Sequence, residues 1–579
     1  MLRPDRRFSC KNGWNDEPSL MATDTPPPGD PNAASAAPQS VPAPAVAAKP
    51  PGSTAKVSTW YVLRHRQFRG LWLGGGIYFI CNAMQTMAAS WSMVQISGSS
   101  FLVALVQTAV FLPMFLLSLP AGVWADITDR RKLMLGALVV QIIVGILLTT
   151  LMLIGKAGPG ILLFLIFVGG CCTALLSPAW NSSWSESVPR EELTQAITAV
   201  SIAYNAARAV GPAMAGLIFS ALGGTWNFAI AVLGSVVMLV SIRRWPPNAH
   251  PPTRLPQERL WGGMVSAVRF ARHSETVLAQ LVRTVAYSLS GSALWALLPT
   301  IGKQQLDLGA AGFGLMMACL GGGAVCAGLV MGRLRARFGL EKLVRNCCLI
   351  YAAMMLVAGY SEWNPPVYVA LVLAGAAWMA AMSTFNTATQ TSVPPWVRAR
   401  ATAMHTLSAL GSFALGSAFW GAFADLTSLS TALLVGSVSM LAGLLLTKPF
   451  PLRMGDKDDV TQANPSWEKV FITHEPPPEK GPVAIETIYR INPDDAKAFL
   501  ETISELRAPR RRDGATLWRV YSDLEDPSRF VERFIVTSWA DYLHQRSRGT
   551  LADQELETKV RAFQLEGVPV KMQHFLAET

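Results

Sequence analysis

The side chains able to do chemistry inside this chain's apolar stretches are few and mostly uncharged. Arg208 lies in the middle of such a stretch, and Asn205 stands three residues before it, so the two share one helix face. An arginine at mid-span costs about 2.5–3.5 kcal/mol on insertion scales, which argues for a cavity-facing or paired position. Asn82, Gln85, Gln95, Gln107, Asn386 and His405 also fall within apolar stretches. Each amide can bond either a neighbouring helix or a bound molecule. The chemistry on offer is therefore binding. Asn82, Gln85, Gln107, Asn205, Arg208 and Asn386 are the candidate substrate-cavity residues, with Arg208 for an anionic group. No Asp or Glu sits clearly at mid-span; Asp126, Glu186 and Asp425 stand near span ends. Proton coupling needs a titratable group reachable from both sides, and by elimination Asp126 and Glu186 are its candidates. Trp91, Trp180 and Trp295 either line a cavity or anchor at the membrane interface. Arg283, nearer a span end, reads as a snorkelling residue. None of the 8 cysteines has a C-x-x-C spacing, so no metal site, disulfide framework or cofactor is expected.

The elements that must position these groups are membrane spans. Only 15% of the 579 residues are charged and 51% are hydrophobic, whereas soluble proteins carry about 25% charged residues. The mean hydropathy is +0.31. Twelve stretches are long and apolar enough to span a bilayer: residues 71–96, 101–121, 133–154, 160–179, 196–220 and 226–242, then 278–301, 311–332, 343–360, 367–388, 401–423 and 429–446. The net charge of +11 sits in alternate loops, such as Arg130-Arg131-Lys132, Arg243-Arg244 and Arg333 to Arg345. That pattern is membrane topology rather than nucleic-acid binding, and it places both termini in the cytoplasm. An internal repeat divides the spans six and six. Trp180-Asn181 and Phe385-Asn386, Ser187-Val188-Pro189 and Ser392-Val393-Pro394, Gly211 and Gly416, and Gly216 and Gly421 all recur at an offset of 205. Duplicated halves around a central site are a transporter architecture.

The expected organisation is a disordered Pro/Ala-rich cytoplasmic tail (1–56), a six-helix half (57–242), a basic linker (243–277), a second six-helix half (278–450), a polar linker (451–480) and a soluble α+β domain (481–579). Within that last domain, strands are expected at 483–491, 515–522, 529–537 and 568–576, and helices at 494–507 and 538–565.

The loop Gly122-Val123-Trp124-Ala125-Asp126-Ile127-Thr128-Asp129-Arg130-Arg131 resembles the G-x-x-x-D-x-x-x-R-R signature of the major facilitator superfamily. Ile127 and Asp129 depart from it, standing where a basic residue and a glycine are usual. The resemblance implies a conformational latch at Gly122, Asp126, Arg130 and Arg131. Gly211, Pro212 and Gly216 are similar to the fifth-helix G-P-x-x-G pattern of superfamily antiporters, a packing or bending surface. Met84-Gln85-Thr86, Ser118-Leu119-Pro120-Ala121-Gly122 and Val188-Pro189-Arg190-Glu191-Glu192-Leu193 look like the enterobactin-exporter-like branch, the transmembrane secretion effectors. That branch commonly has an Asp where this chain has Asn82. The tail, with Gly481-Pro482-Val483, Arg511-Arg512-Asp513-Gly514-Ala515 and His544, is similar to antibiotic-biosynthesis-monooxygenase domains, small dimeric ferredoxin-like folds. No metal or flavin motif accompanies His544, so a structural or dimerising module is expected rather than an enzyme.

The resemblances imply an all-α major facilitator fold in a bacterial inner membrane. They further imply efflux of a small amphipathic compound, a siderophore-like metabolite or a drug, by alternating access with possible proton antiport. The partners would be the bilayer, the cargo and protons. The rival readings are uptake of a small metabolite and a membrane-tethered enzyme or sensor acting through the tail.

Overall fold

The computed structural model describes residues 59–245, 268–463 and 476–578. The expected N-terminal tail, most of the basic linker and part of the second linker lie outside the described residues, as do the side chains of Gly122 and Asp126. Eleven long helices follow the apolar stretches in order. A first set comprises α1 (Arg66–Ile96), α2 (Ser100–Ile127), α3 (Arg130–Leu153), α4 (Pro159–Glu186), α5 (Leu193–Leu222) and α6 (Gly224–Arg243). A second comprises α7 (Glu275–Thr300), α8 (Ala310–Tyr360), α9 (Asn364–Thr391), α10 (Pro395–Leu426) and α11 (Leu429–Leu446).

Among the described residues, nine helices are long and apolar enough to cross a membrane. The long helices that fall short are α1 and α5, and the reason is composition. Alpha1 carries Arg66, Arg69, Asn82, Gln85 and Gln95, and α5 carries Gln195, Asn205 and Arg208. They pack against each other, so the two helices of the first set that fall short carry four of the expected cavity residues, Asn82, Gln85, Asn205 and Arg208. Alpha8 has the opposite anomaly. Its 51 residues would run ~76 Å as one helix, against a hydrocarbon core of about 30 Å. Gly339, at φ 69° and ψ 173°, breaks it into two arms. The expected spans 311–332 and 343–360 are those arms, and the basic stretch between them is helical up to the break.

The two sets meet along two seams, α5 with α8 and α2 with α10. The α5–α8 seam is tight because it is built of glycine. A Cβ on Gly216 would lie 2.7 Å from the Ala310 carbonyl oxygen and 2.9 Å from the Gly314 Cα. No side chain could stand there without parting the helices. We call the end of the bundle that carries Arg130, Arg243 and Arg333 the basic end, and the opposite one the far end. The hydrogen bonds described between the sets lie toward the far end. The Thr108 hydroxyl donates to the Ala414 carbonyl at 2.8 Å, and the Ser220 hydroxyl accepts from the Ala311 N–H at 3.0 Å. Trp91 stacks on Phe313 across the sets, with centroids 5.2 Å apart.

Beyond the helices lies one antiparallel sheet, of β1 (Val483–Arg490), β2 (Leu517–Ser522), β3 (Arg529–Val536) and β4 (Lys571–Leu576), in the order β2-β3-β1-β4. Alternation builds it: Val483, Ile485, Thr487 and Tyr489 of β1 are buried while their neighbours are partly exposed. Helices α12 (Ala496–Ser504), α13 (Arg507–Asp513), α14 (Trp539–Arg548) and α15 (Leu551–Arg561) connect the strands. Of the two helices expected here, 494–507 and 538–565, the first is α12 and the second is split into α14 and α15. The second breaks at Gly549, after which Thr550 and Asp553 form a capping box that starts α15.

Candidate functional site

Arg208 is the charged group farthest from either end of α5. It is half-buried, and no hydrogen bond or ion pair to it is described. Its guanidinium lies 5.7 Å from the ring centroid of Trp295 on α7, across the two sets. Trp295 opens an aromatic wall in the second set. Its centroid is 6.3 Å from those of Trp378 and Phe413, and Phe413 continues to Phe111 of α2 at 5.0 Å. This site pairs a cation with polarisable faces, an arrangement that suits a ligand part aromatic and part anionic.

The other expected cavity residues divide. Asn82 and Gln85 are partly buried on α1, the helix that packs on α5. The Asn205 amide donates to its own helix, at the Ser201 carbonyl, 2.8 Å. Gln107 is buried on α2. Asn386, on α9, accepts from Gln390 at 3.1 Å, and no contact to the α5 residues is described. Gly211 seats α5 on α1, where a Cβ would meet the Ala83 side chain at 2.8 Å, and the Pro212 carbonyl faces Gly314 of α8. Of the tryptophans, Trp91 and Trp180 are buried in helix packing. Only Trp295 faces the unpaired cation.

At the basic end Arg130, expected in the latch, and Glu186, expected in proton coupling, are joined in one ion pair between α3 and α4. Arg131 donates to the Arg243 carbonyl at 2.6 Å, a cation on the C-terminus of α6. Asp129, one of the departures from the signature loop, caps α3 by accepting from the Arg131 N–H at 2.9 Å. Arg283 corrects the snorkelling expectation. It is buried, donates to the Phe450 and Thr447 carbonyls at 2.7 and 3.2 Å, and pairs with Glu341 at 2.8 Å. Its head is held by the segment that follows α11 and by the second arm of α8.

The sheet domain docks on the second set. Arg269 donates to the Gly514 carbonyl at 2.8 Å, and Arg548 lies 4.5 Å over the ring of Trp396, at the start of α10. The same guanidinium donates to the Asp513 carbonyl at 2.9 Å. The connecting segment is tied in too: Leu551 N–H donates to the Thr461 carbonyl at 3.0 Å, and Gly455 N–H to the Ser392 hydroxyl at 3.0 Å. His544 lies at this junction, where desolvation by the surrounding groups and the nearby charges of Arg548 and Arg400 hold its imidazole below the usual range. The inward-turned histidine is His574, whose Nε2 lies 2.6 Å from the Tyr542 hydroxyl. Beside Tyr542 is a small cavity lined by Arg510, Phe534, Gln545, Glu557 and Met572. Arg510 is engaged there by Glu532 at 3.0 Å and Glu557 at 2.7 Å.

Residues 57–579, helices and sheet together, match the profile of the transmembrane secretion effectors. The chain belongs to that family of the major facilitator superfamily. As a secretion effector it is a multi-pass membrane transporter. It is 27% identical over 176 residues to macrolide efflux protein A of Streptococcus pyogenes, which covers 30% of this chain and 44% of that protein. It is 26% identical over 411 residues to the enterobactin exporter EntS of Salmonella typhimurium, covering 66% of this chain and 92% of that one. The match to the macrolide protein thus spans less than half of its length. Among solved structures the fold is similar to the nucleoside transporter NupG, with a TM-score of 0.53 at 13% identity over 66% of this chain and 98% of that one. A bacterial homolog of the lysosomal transporter Spinster, inward-facing, gives 0.50 at 17% over 67% and 96%.

Sequence reasoning missed the docking of the effector's tail, because no periodicity marks which loop a separate domain will touch. The one available signal was a tryptophan, Trp396, in a basic loop. A cation over an aromatic ring contributes about 0.5–2 kcal/mol. Trp396→Ala is therefore expected to raise amide exchange around Gly514 and Arg548 by roughly 2- to 30-fold, with β1 and β3 still protected. Unchanged exchange at Gly514 would show that docking does not depend on that ring.

Proposed function

We propose that this transporter exports a small amphipathic compound with an aromatic body and an acidic or catechol-like group. The carrying observation is Arg208, an unpaired mid-span cation beside Trp295. A membrane protein retains such a residue at a cost of about 2.5–3.5 kcal/mol only where it faces water or a ligand. Siderophore-like metabolites and drugs have this chemistry, and the named relatives, an enterobactin exporter and a macrolide efflux protein, fit the direction.

In this reading the bundle is twelve spans, six in each half, with α8 supplying two. The halves are residues 57–242 and 278–450, with linkers at 243–277 and 451–480. The basic end is cytoplasmic, as are both termini, and the membrane is the inner one. The halves rock about Asn82, Gln85, Gln107, Asn205, Arg208 and Asn386. Gly122, Asp126, Arg130 and Arg131 form the cytoplasmic latch, and Gly211, Pro212 and Gly216 the packing surface of α5. Asp126 and Glu186 remain the proton-coupling candidates. The tail, residues 481–579, is a ferredoxin-like module of the monooxygenase-like type without enzymatic activity, a reading that the order β2-β3-β1-β4 supports.

Inverted vesicles test the direction. Energised vesicles carrying the protein should accumulate a fluorescent amphipathic anion, and an uncoupler should abolish the gradient. Accumulation in right-side-out vesicles instead would sink export.

A further inference from the structure

The far end of the bundle is sealed by two copies of one device. In the first, Gly216 of α5 lies against Ala310, Ala311 and Gly314 of α8. Four residues on, the Ser220 hydroxyl accepts from the Ala311 N–H at 3.0 Å. In the second, Gly421 of α10 lies against Ser100, Phe101 and Ala104 of α2. Four residues on, the Asp425 carboxylate accepts from the N–H groups of Ser100 and Phe101 at 2.7 and 3.2 Å, and from the Ser99 hydroxyl. The register is common to both. Gly216 and Gly421 are 205 residues apart, as are Ser220 and Asp425. The residues they face (Ala310 and Ser100, Ala311 and Phe101, Gly314 and Ala104) are each 210 apart. The copies differ in the capping group: a hydroxyl with one bond in the first, a carboxylate with three in the second.

We propose that Ser220 and Asp425 are paired latches holding the outer gate shut, with Asp425 the stronger. This rests on the alternating-access reading above. The first amides of a helix have no partner within it. Each latch satisfies them with a group from the opposite half, and in the second copy the helix dipole adds to the attraction for a carboxylate. Opening the far end must pull α10 from α2 and α5 from α8, which breaks both caps. Water then replaces the lost bonds, so each latch biases the equilibrium without locking it. A side-chain cap is worth about 2- to 30-fold in such a ratio, small enough for a cargo to overcome by binding the open state better. The glycines set the closing distance and the caps set how strongly closure is favoured.

Distances between bio-orthogonal spin labels at Ala157 and Glu362, in far-end loops of opposite halves, test the proposal in the full chain in lipid nanodiscs. The wild type should show a short and a long population whose ratio cargo changes. One fixed distance under every condition would defeat the alternating-access reading itself. Given two populations, Asp425→Ala should raise the long-to-short ratio about 2- to 30-fold, and Ser220→Ala should raise it less. The exchange variant, Asp425→Ser with Ser220→Asp, should bring the ratio back toward wild type, since it only moves the carboxylate to the other copy. An Asp425→Ala ratio equal to the wild type's or no larger than that of Ser220→Ala, or an exchange variant no better than Asp425→Ala, would overturn the latch assignment.

Discussion

Replacing Glu532 with alanine is expected to destabilise the sheet domain strongly while the stability of the helical bundle is unchanged. Glu532 is fully buried on β3 and accepts from Arg510 Nε at 3.0 Å, Trp518 Nε1 at 2.9 Å and the Tyr489 hydroxyl at 3.3 Å. Alanine would take the acceptor from an indole N–H and a phenol, and would remove one of the carboxylates that engage the buried Arg510 guanidinium. Breaking one side of a buried pair costs about 3–5 kcal/mol, a large part of the roughly 5–15 kcal/mol that holds a domain folded. The melting midpoint should fall by roughly 12–40 °C for a domain of this size. Glu532→Gln keeps the shape and an acceptor, and should cost less. Thermal hydrogen exchange on the full chain reads β1, β3 and the bundle separately. If Glu532→Ala leaves the midpoint of β1 and β3 within a few degrees, the residue is not the keystone of this core.

What the sequence could carry was periodicity and burial. The strand expected at 483–491 is β1, and the apolar runs located each long helix. The polar content of α1 and α5 did not hide them, because most of each stretch is still apolar. Gly339 shows the limit. Hydropathy marks where a helix leaves the apolar layer, not where it stops being helical, so the basic stretch before Gly339 read as a loop. Partnerships were less legible still. Arg130 and Glu186 are 56 residues apart in sequence, and Ser99 and Asp425 are 326 apart. Nothing local in either segment specifies the other. Asp425 was visible as an acid near a span end, but its role depends on which helix N-terminus crosses it. Asp129 read as a departure from a signature and serves instead as the cap of α3. The offset of 205 was legible from the start, and its meaning at Ser220 and Asp425 emerged only when the helices facing each copy were known.

Arg208→Gln is expected to give a protein that is more stable and transports less. The stability gain follows from insertion, where an arginine at mid-span costs about 2.5–3.5 kcal/mol and no hydrogen bond or ion pair is described that would offset it. The transport loss follows from recognition. Hydrogen bonds to a charged group contribute about 1.5–3 kcal/mol, so the apparent KM for an anionic cargo should rise roughly 10- to 150-fold. Arg208→Lys keeps the charge but loses the planar fork above Trp295 and should fall between the two. A neutral amphiphile of the same size separates recognition from damage, since its flux should change little in Arg208→Gln. Equal losses for anionic and neutral cargo would make Arg208 a packing residue of α5. If the glutamine variant is neither more stable nor weaker toward the anion, Arg208 has a buried partner, and the site must be sought elsewhere along α1 and α5. A stability gain together with a selective transport loss is the signature of a residue kept for its ligand at the expense of the fold, and it is the outcome that the unpaired guanidinium beside Trp295 leads us to expect.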